Sequence, residues 1–318
     1  METFYVPALN KSVSRIGLGT APFGGRVARK QAMRVLHNAH ERGINLIDTA
    51  RSYGFGECED IVGEFLSKVR REDFVIFSKG GISTPRSSRA RILAKNVARS
   101  AVRLMPSLRR AAVSVAAKSY SVSVTLASVE SSLKESLAAI RTDYLDCYFL
   151  HSPPTDPNEF ERIASFLAEQ VRSTRLRGWG LTLDREGATL VRQVGVVPPF
   201  VQFSCSSDAE EFDLPNGTVR VGFQLLGGSG TVTSRRSAAL RIGAAERNPA
   251  LRNELLQNDL LGETVCFGAA IPHRCDLALV SMNSAVHMDR NIDALTRAMR
   301  LAAHPALLSA ILDDARVS

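Results

Sequence analysis

Eight short apolar or β-branched runs, most of them separated by stretches long enough for a helix, predict an α/β fold of the (β/α)8 barrel class. Alternation of this kind implies parallel sheet, and eight repeats suit a closed barrel better than an open doubly wound sheet. The chain's 318 residues fit one large barrel with additions, since such barrels commonly run to roughly 250 residues or more. A composition 45% hydrophobic and 23% charged provides a real core and excludes disordered, collagen-like and disulfide-scaffold classes.

The first strand is read at residues 15–20. The following helix spans 27–42, with Ala32, Val35, Leu36 and Ala39 at helical spacing and Gly43 in the usual place after a helix. Strand two covers 46–49, a second helix covers 59–69, and strand three covers 75–79. A helix over 129–140 carries Val129, Leu133 and Leu137 four apart, which turns one apolar face to the sheet. Strands at 145–151, 178–182, 200–205, 219–226 and 277–281 complete the set. Asn216-Gly217-Thr218 formally spells a glycosylation sequon, but after Pro215 and without secretion it reads as a turn.

Five scattered cysteines with no CxxC pair suit reduced thiols and predict neither zinc nor a disulfide framework. The start shows no basic region with an apolar core behind it, and nowhere do about 18 apolar residues run together, so a cytoplasmic protein without a membrane span is expected. The rival open nucleotide-binding sheet needs a GxGxxG turn. In Gly17-Leu18-Gly19-Thr20-Ala21-Pro22-Phe23-Gly24 the third glycine comes late and Pro22 intrudes.

In a parallel barrel, side chains at the C-terminal ends of the strands gather on one face. Asp48 ends strand two, Tyr53 follows in the next loop, Lys79 ends strand three and His151 ends strand four. Taken singly, such an aspartate caps a helix, and such a lysine or histidine sits at the solvated rim. Together they suit the protonation of an oxygen that becomes negative. An ammonium beside a phenol lowers its pKa, Asp48 would balance the ammonium, and His151 would orient a carbonyl oxygen or share its proton.

These residues resemble the aldo-keto reductase family, whose segment order matches residues 14–295. Ile47-Asp48-Thr49-Ala50-Arg51-Ser52-Tyr53-Gly54, continued by Gly56-Glu57-Cys58-Glu59, is similar to the first family signature, with Cys58 in place of the usual serine. Phe77-Ser78-Lys79 resembles the lysine strand, and residues 141–151 resemble the histidine strand. The resemblance implies a TIM barrel in which Tyr53 is the general acid, Lys79 tunes it, Asp48 supports Lys79 and His151 positions the substrate.

It also implies a nicotinamide cofactor extended across the barrel mouth, reached by Gly19 and Thr20. Gln202 matches the glutamine that holds the nicotinamide amide, Phe223 the aromatic that stacks on its ring, and Leu226, Gly227 and Ser229 the loop around the pyrophosphate, where backbone amides cradle phosphate. Strand five departs from the pattern, ending in Thr182-Leu183 where a Ser-Asn pair is usual, and Leu183 offers no side-chain hydrogen bond. Residues 280–291 resemble the adenosine-phosphate site: Ser281, Asn283 where many NADP-using members carry a basic residue, and Asn291 as the adenine contact. His287 and Arg290 would meet a 2′-phosphate. NADP(H) is therefore the preferred expectation, with NAD(H) as the alternative.

The leading reading is an NAD(P)H-dependent oxidoreductase that reduces an aldehyde or ketone, or runs the reverse on an alcohol. The alternative is a redox-sensing or regulatory protein on the same scaffold, binding cofactor with little turnover. Nucleic-acid binding lacks any recognised module.

Forty Lys and Arg against 32 Asp and Glu give +8, yet residues 74–129 contain ten positive charges and no acidic residue, which leaves the remainder at −2. Within a single barrel domain over 1–318 this marks a basic helical insertion at about 81–125, after strand three. Arg91, Lys95, Arg99 and Arg103 form one stripe and Pro106 stops that helix. A solvated face accounts for it. A segment overhanging the mouth would instead draw in carboxylated or phosphorylated substrates.

Overall fold

The computed structural model describes residues 1–81, 124–206, 214–227, 230–271 and 273–317. The expected insertion at about 81–125, with its basic stripe, lies almost entirely outside the described residues, as does Ser229.

The chain opens with an antiparallel hairpin, β1 (Thr3–Val6) and β2 (Lys11–Ser14), which the barrel pattern did not anticipate. Its Val6, Leu9 and Val13 are buried against the lower interior of the barrel, beside Leu46, Val75 and Val219. The Lys11 ammonium reaches across to the carbonyl oxygen of Phe74 at 2.8 Å. The hairpin thus closes the N-terminal end, and the opposite face is left for chemistry.

Eight strands then form a closed barrel in which every neighbour pair is parallel: β3 (Ile16–Gly19), β4 (Leu46–Asp48), β5 (Val75–Gly80), β6 (Cys147–Leu150), β7 (Trp179–Thr182), β8 (Phe200–Ser204), β9 (Val219–Phe223) and β10 (Leu277–Val280). All eight expected strands are present, most a residue or two shorter than read from the sequence. The largest shift of a single strand end is at β9, where Gln224 takes a left-handed backbone (φ 58°) and ends the strand at Phe223 rather than at 226. Register levels the functional residues, with Gly19 opposite Asp48, Asp48 opposite Phe77, and Thr182 opposite Gln202.

The interior is filled, not hollow. Phe77, Phe149 and Phe200 meet with ring centroids 5.4 to 6.4 Å apart. That crowding demands small neighbours, and a Cβ at Gly180 would lie 2.5 Å from the Phe149 ring and 2.6 Å from the Phe200 carbonyl oxygen.

Helices α1 (Arg29–Glu41), α2 (Glu57–Leu66), α3 (Leu126–Ile140), α4 (Pro157–Arg172) and α5 (Arg185–Val194) cover the outside. α1 buries Ala32, Val35, Leu36 and Ala39, the stripe its spacing predicts. Caps fix where the later loops return: Thr125 forms a capping box with Ser128, Asp156 and Asp184 cap α4 and α5, and Pro157 begins α4 with its missing N–H harmless. Between β9 and β10 the chain inserts α6 (Thr231–Ala245), α7 (Pro249–Leu256) and α8 (Leu261–Ala270). With α9 (Ala285–Leu301) and α10 (Pro305–Val317) they share a further cluster that includes Ala238, Leu255, Leu261, Leu301 and Ile311. Among the described residues no helix is long and apolar enough to cross a membrane.

Candidate active site

At the C-terminal ends of the strands lies a cavity of about 590 Å³. Asp48 and Lys79 from two strands, His151 from just beyond a third and Tyr53 from the turn after β4 all line it. Each is placed by its backbone. β4 ends at Asp48 and the Tyr53 N–H bonds the Ala50 carbonyl at 3.0 Å, turning the phenol back over the mouth. Lys79 lies one residue from the end of β5, and the His151 N–H donates to Gly80 just beyond β6.

The Lys79 ammonium donates to both Asp48 oxygens, at 2.7 and 2.6 Å, and to the Tyr53 hydroxyl oxygen at 3.2 Å. Asp48 also accepts from the Gln202 amide at 2.8 Å. Burial works against the Lys79 charge, but Asp48 and Tyr53 outweigh it and hold the lysine above its ordinary pKa.

For Tyr53 the balance differs from the lowered phenol expected from the sequence. Burial is the largest effect and raises its pKa; Lys79 pulls it down, Asp48 pushes it up again, and the net direction is upward. The reason is geometric: the aspartate that stabilises the ammonium also sits close enough to the phenol to oppose its ionisation. Tyr53 is therefore a neutral O–H group. His151 is neutral too, pushed down to about 3 by burial and by the Lys79 charge. Its ring meets that of Tyr53 edge to face at 5.8 Å.

Gly19, Thr182, Gln202, Phe223, Leu226, Gly227 and Ser281 line the same cavity. Thr20 does not: it is fully buried and its hydroxyl donates to the Asp48 carbonyl at 3.0 Å, a structural bond between β3 and β4. Asn283, His287, Arg290 and Asn291 lie beyond the cavity wall, before or on α9. The Asn283 backbone carbonyl accepts from the Gln31 side-chain amide at 3.2 Å, and Asn291 is buried. Arg290 is engaged with Glu263 at 3.0 Å and His287 is exposed.

Two buried oxygens in this region, Thr182 Oγ1 and Asn283 Oδ1, have no hydrogen-bond partner among the described residues. Buried polar atoms are ordinarily satisfied, so both fit a polar group that binds there. Thr182 supplies a hydroxyl next to the position where Leu183 lacks one. Leu183 itself is buried, its N–H bonded to the Gln202 carbonyl at 2.6 Å.

The structure adds residues that the sequence did not single out. Arg26, in the loop after β3, lines the cavity and has no carboxylate partner among the described residues. Ser52 lies beside His151. Neither has a periodic signal, because loop residues carry none. A larger hollow of about 690 Å³ between α3 and α4, edged by Leu137, Arg141 and Phe166, is on the outer wall and holds none of the strand-end residues.

The sequence matches the model of the Aldo/keto reductase family over residues 15–207. It is 26% identical over 205 residues to the uncharacterized oxidoreductase YqkF of Bacillus subtilis, covering 64% of this chain and 56% of that protein. It is 46% identical over 77 residues to the NADH-specific methylglyoxal reductase of Escherichia coli, covering 22% of this chain and 24% of that one. The chain thus spans about half or less of the length of these relatives. In fold it is similar to the aldo-keto reductase AKR11C1 of Bacillus halodurans in its holo form, with a TM-score of 0.65 at 17% identity over 95% of this chain and 96% of that one. With a family match over more than half its length and the same eight-stranded barrel, the chain belongs to the aldo/keto reductase family.

Proposed function

We propose that this protein reduces an aldehyde or ketone to an alcohol, or catalyses the reverse oxidation, with Tyr53 as the general acid or base. The observation that carries this reading is the direction of the bond between Lys79 and Tyr53. The ammonium donates to the phenol oxygen at 3.2 Å, so the phenol's own proton is left to donate into the cavity. A carbonyl oxygen gaining negative charge would receive that proton, and Lys79, held charged by Asp48, would stabilise the phenolate left behind. His151, neutral, would hold the same oxygen by a hydrogen bond.

A bound nicotinamide would supply or accept the hydride. Gln202 gives its N–H to Asp48 and keeps its carbonyl oxygen to accept, Thr182 offers a hydroxyl with no partner among the described residues, and Phe223 brings an aromatic side chain to the cavity wall. Arg26 brings a cation with no carboxylate partner among the described residues, suited to phosphate or to an anionic substrate. The NADP preference rests on His287 and Arg290, and the Arg290–Glu263 pair works against it, since Glu263 already holds the guanidinium. The alternative regulatory reading draws on Leu183 alone.

The test is Tyr53→Phe, assayed with NADPH and NADH against a panel of aldehydes and ketones that includes methylglyoxal. Loss of one general acid lowers kcat by about 10²- to 10⁴-fold, while cofactor affinity measured by calorimetry stays the same. Turnover equal to the unaltered enzyme would refute the assignment. Cofactor binding without turnover of any panel member or alcohol would favour the regulatory reading.

A further inference from the structure

The Ser52 hydroxyl meets one side chain among the described residues, Nδ1 of His151, at 3.3 Å. Ser52 and Tyr53 are consecutive in the turn between β4 and α2, so one short segment carries both the phenol and a group that touches the imidazole. The rest of His151 is held. Its backbone N–H donates to the Gly80 carbonyl at 3.0 Å, and its ring stands at 89° to that of Tyr53. What these contacts leave undetermined is which ring nitrogen bears the proton. A neutral imidazole has one N–H donor and one lone pair, and the bond made by one nitrogen settles the role of the other.

The hydroxyl's own requirements favour one direction. Were Ser52 to accept from an Nδ1–H, its proton would have no acceptor among the described residues. Donating to the Nδ1 lone pair satisfies both groups in a half-buried site, where an unmade hydrogen bond is costly. We infer that Ser52 is a positioning residue: it donates to Nδ1 and so keeps the His151 proton on Nε2, which makes the imidazole a fixed donor into the cavity beside the Tyr53 hydroxyl. Two donors would then converge on one carbonyl oxygen and stabilise it as negative charge develops. The other tautomer would turn a lone pair on Nε2 toward that oxygen and repel it. The inference rests on the carbonyl-reduction reading for its consequence, though not for the tautomer itself.

The experiment is nitrogen NMR of the full chain labelled with ¹⁵N-histidine, the His151 signals being identified by their loss in His151→Asn. The unaltered protein should show a protonated Nε2 and a bare Nδ1. Ser52→Ala should move the signals toward a mixture of tautomers and lower kcat about five-fold, the effect of one ordinary hydrogen bond, with cofactor affinity unchanged. Ser52→Thr keeps a hydroxyl and should restore both readouts, whereas Ser52→Val, of similar shape, should not. A proton found on Nδ1 in the unaltered protein, or a Ser52→Ala variant that keeps both tautomer and kcat, would overturn the inference. The two proposals fail separately: the nitrogen signals judge Ser52 even if no carbonyl compound is turned over, and the wrong tautomer in a working reductase removes the role of Ser52 alone.

Discussion

Replacing Lys79 by methionine should destabilise the folded chain by about 4 kcal/mol, because breaking a buried ion pair from one side typically costs roughly 3 to 5 kcal/mol. Lys79 and Asp48 are each 4% exposed. Without the ammonium, the Asp48 carboxylate retains one side-chain donor among the described residues, the Gln202 amide at 2.8 Å. Methionine nearly preserves the length and volume of the side chain, so the loss is electrostatic rather than a cavity. A domain with an ordinary stability of about 5 to 15 kcal/mol survives this change in measurable form. The control is the double variant Asp48→Asn/Lys79→Met, which removes the orphaned charge and should recover about 2 kcal/mol of the loss, the surplus appearing as coupling in a double-mutant cycle. Urea unfolding followed by far-UV circular dichroism gives both numbers. A single variant that loses less than about 1 kcal/mol, or a double variant no more stable than the single, would show that Asp48 and Lys79 do not depend on each other as this geometry requires.

Two other outcomes follow from the site. His151 has a folded-state pKa of about 3, below its unfolded value near 6.5, so the unfolded chain takes up the proton first; this contribution to stability is full above the unfolded pKa and is lost as pH falls through that window. At pH 5 the loss is about 2 kcal/mol before solvent screening reduces it, and His151→Asn should show a correspondingly smaller drop in stability between pH 7.5 and 5, equal drops counting against a neutral His151. Glu263→Gln should free Arg290 from its half-exposed ion pair and tighten NADPH binding up to about five-fold, the range of an exposed pair, with NADH affinity unchanged in calorimetry; an equal effect on both cofactors would place Arg290 away from the 2′-phosphate.

Much of the barrel was legible because its signals are local. The α1 stripe of Ala32, Val35, Leu36 and Ala39 and the buried run of β5 are read directly from their periods. The N-terminal hairpin was missed because its strands are only four residues each and Val6, Leu9 and Val13 acquire an apolar partner only when the barrel's lower end is built. The end of β9 was misplaced because Gln224 takes a positive φ that its residue type does not advertise.

The site divides along the same line. Sequence alone determined which groups stand at the strand ends, since a run of apolar residues followed by Asp48, Lys79 or His151 puts each on the same face of a parallel barrel. Tertiary structure decided how those groups act on one another. Asp48 and Gln202 are 154 positions apart in the chain and Ser52 and His151 are 99 apart, yet each pair shares a hydrogen bond. The direction of the Tyr53 pKa was decided there as well, because it is the balance of burial, Lys79 and Asp48. Electrostatic effects depend on distance and burial, and neither quantity exists along a chain until the barrel closes.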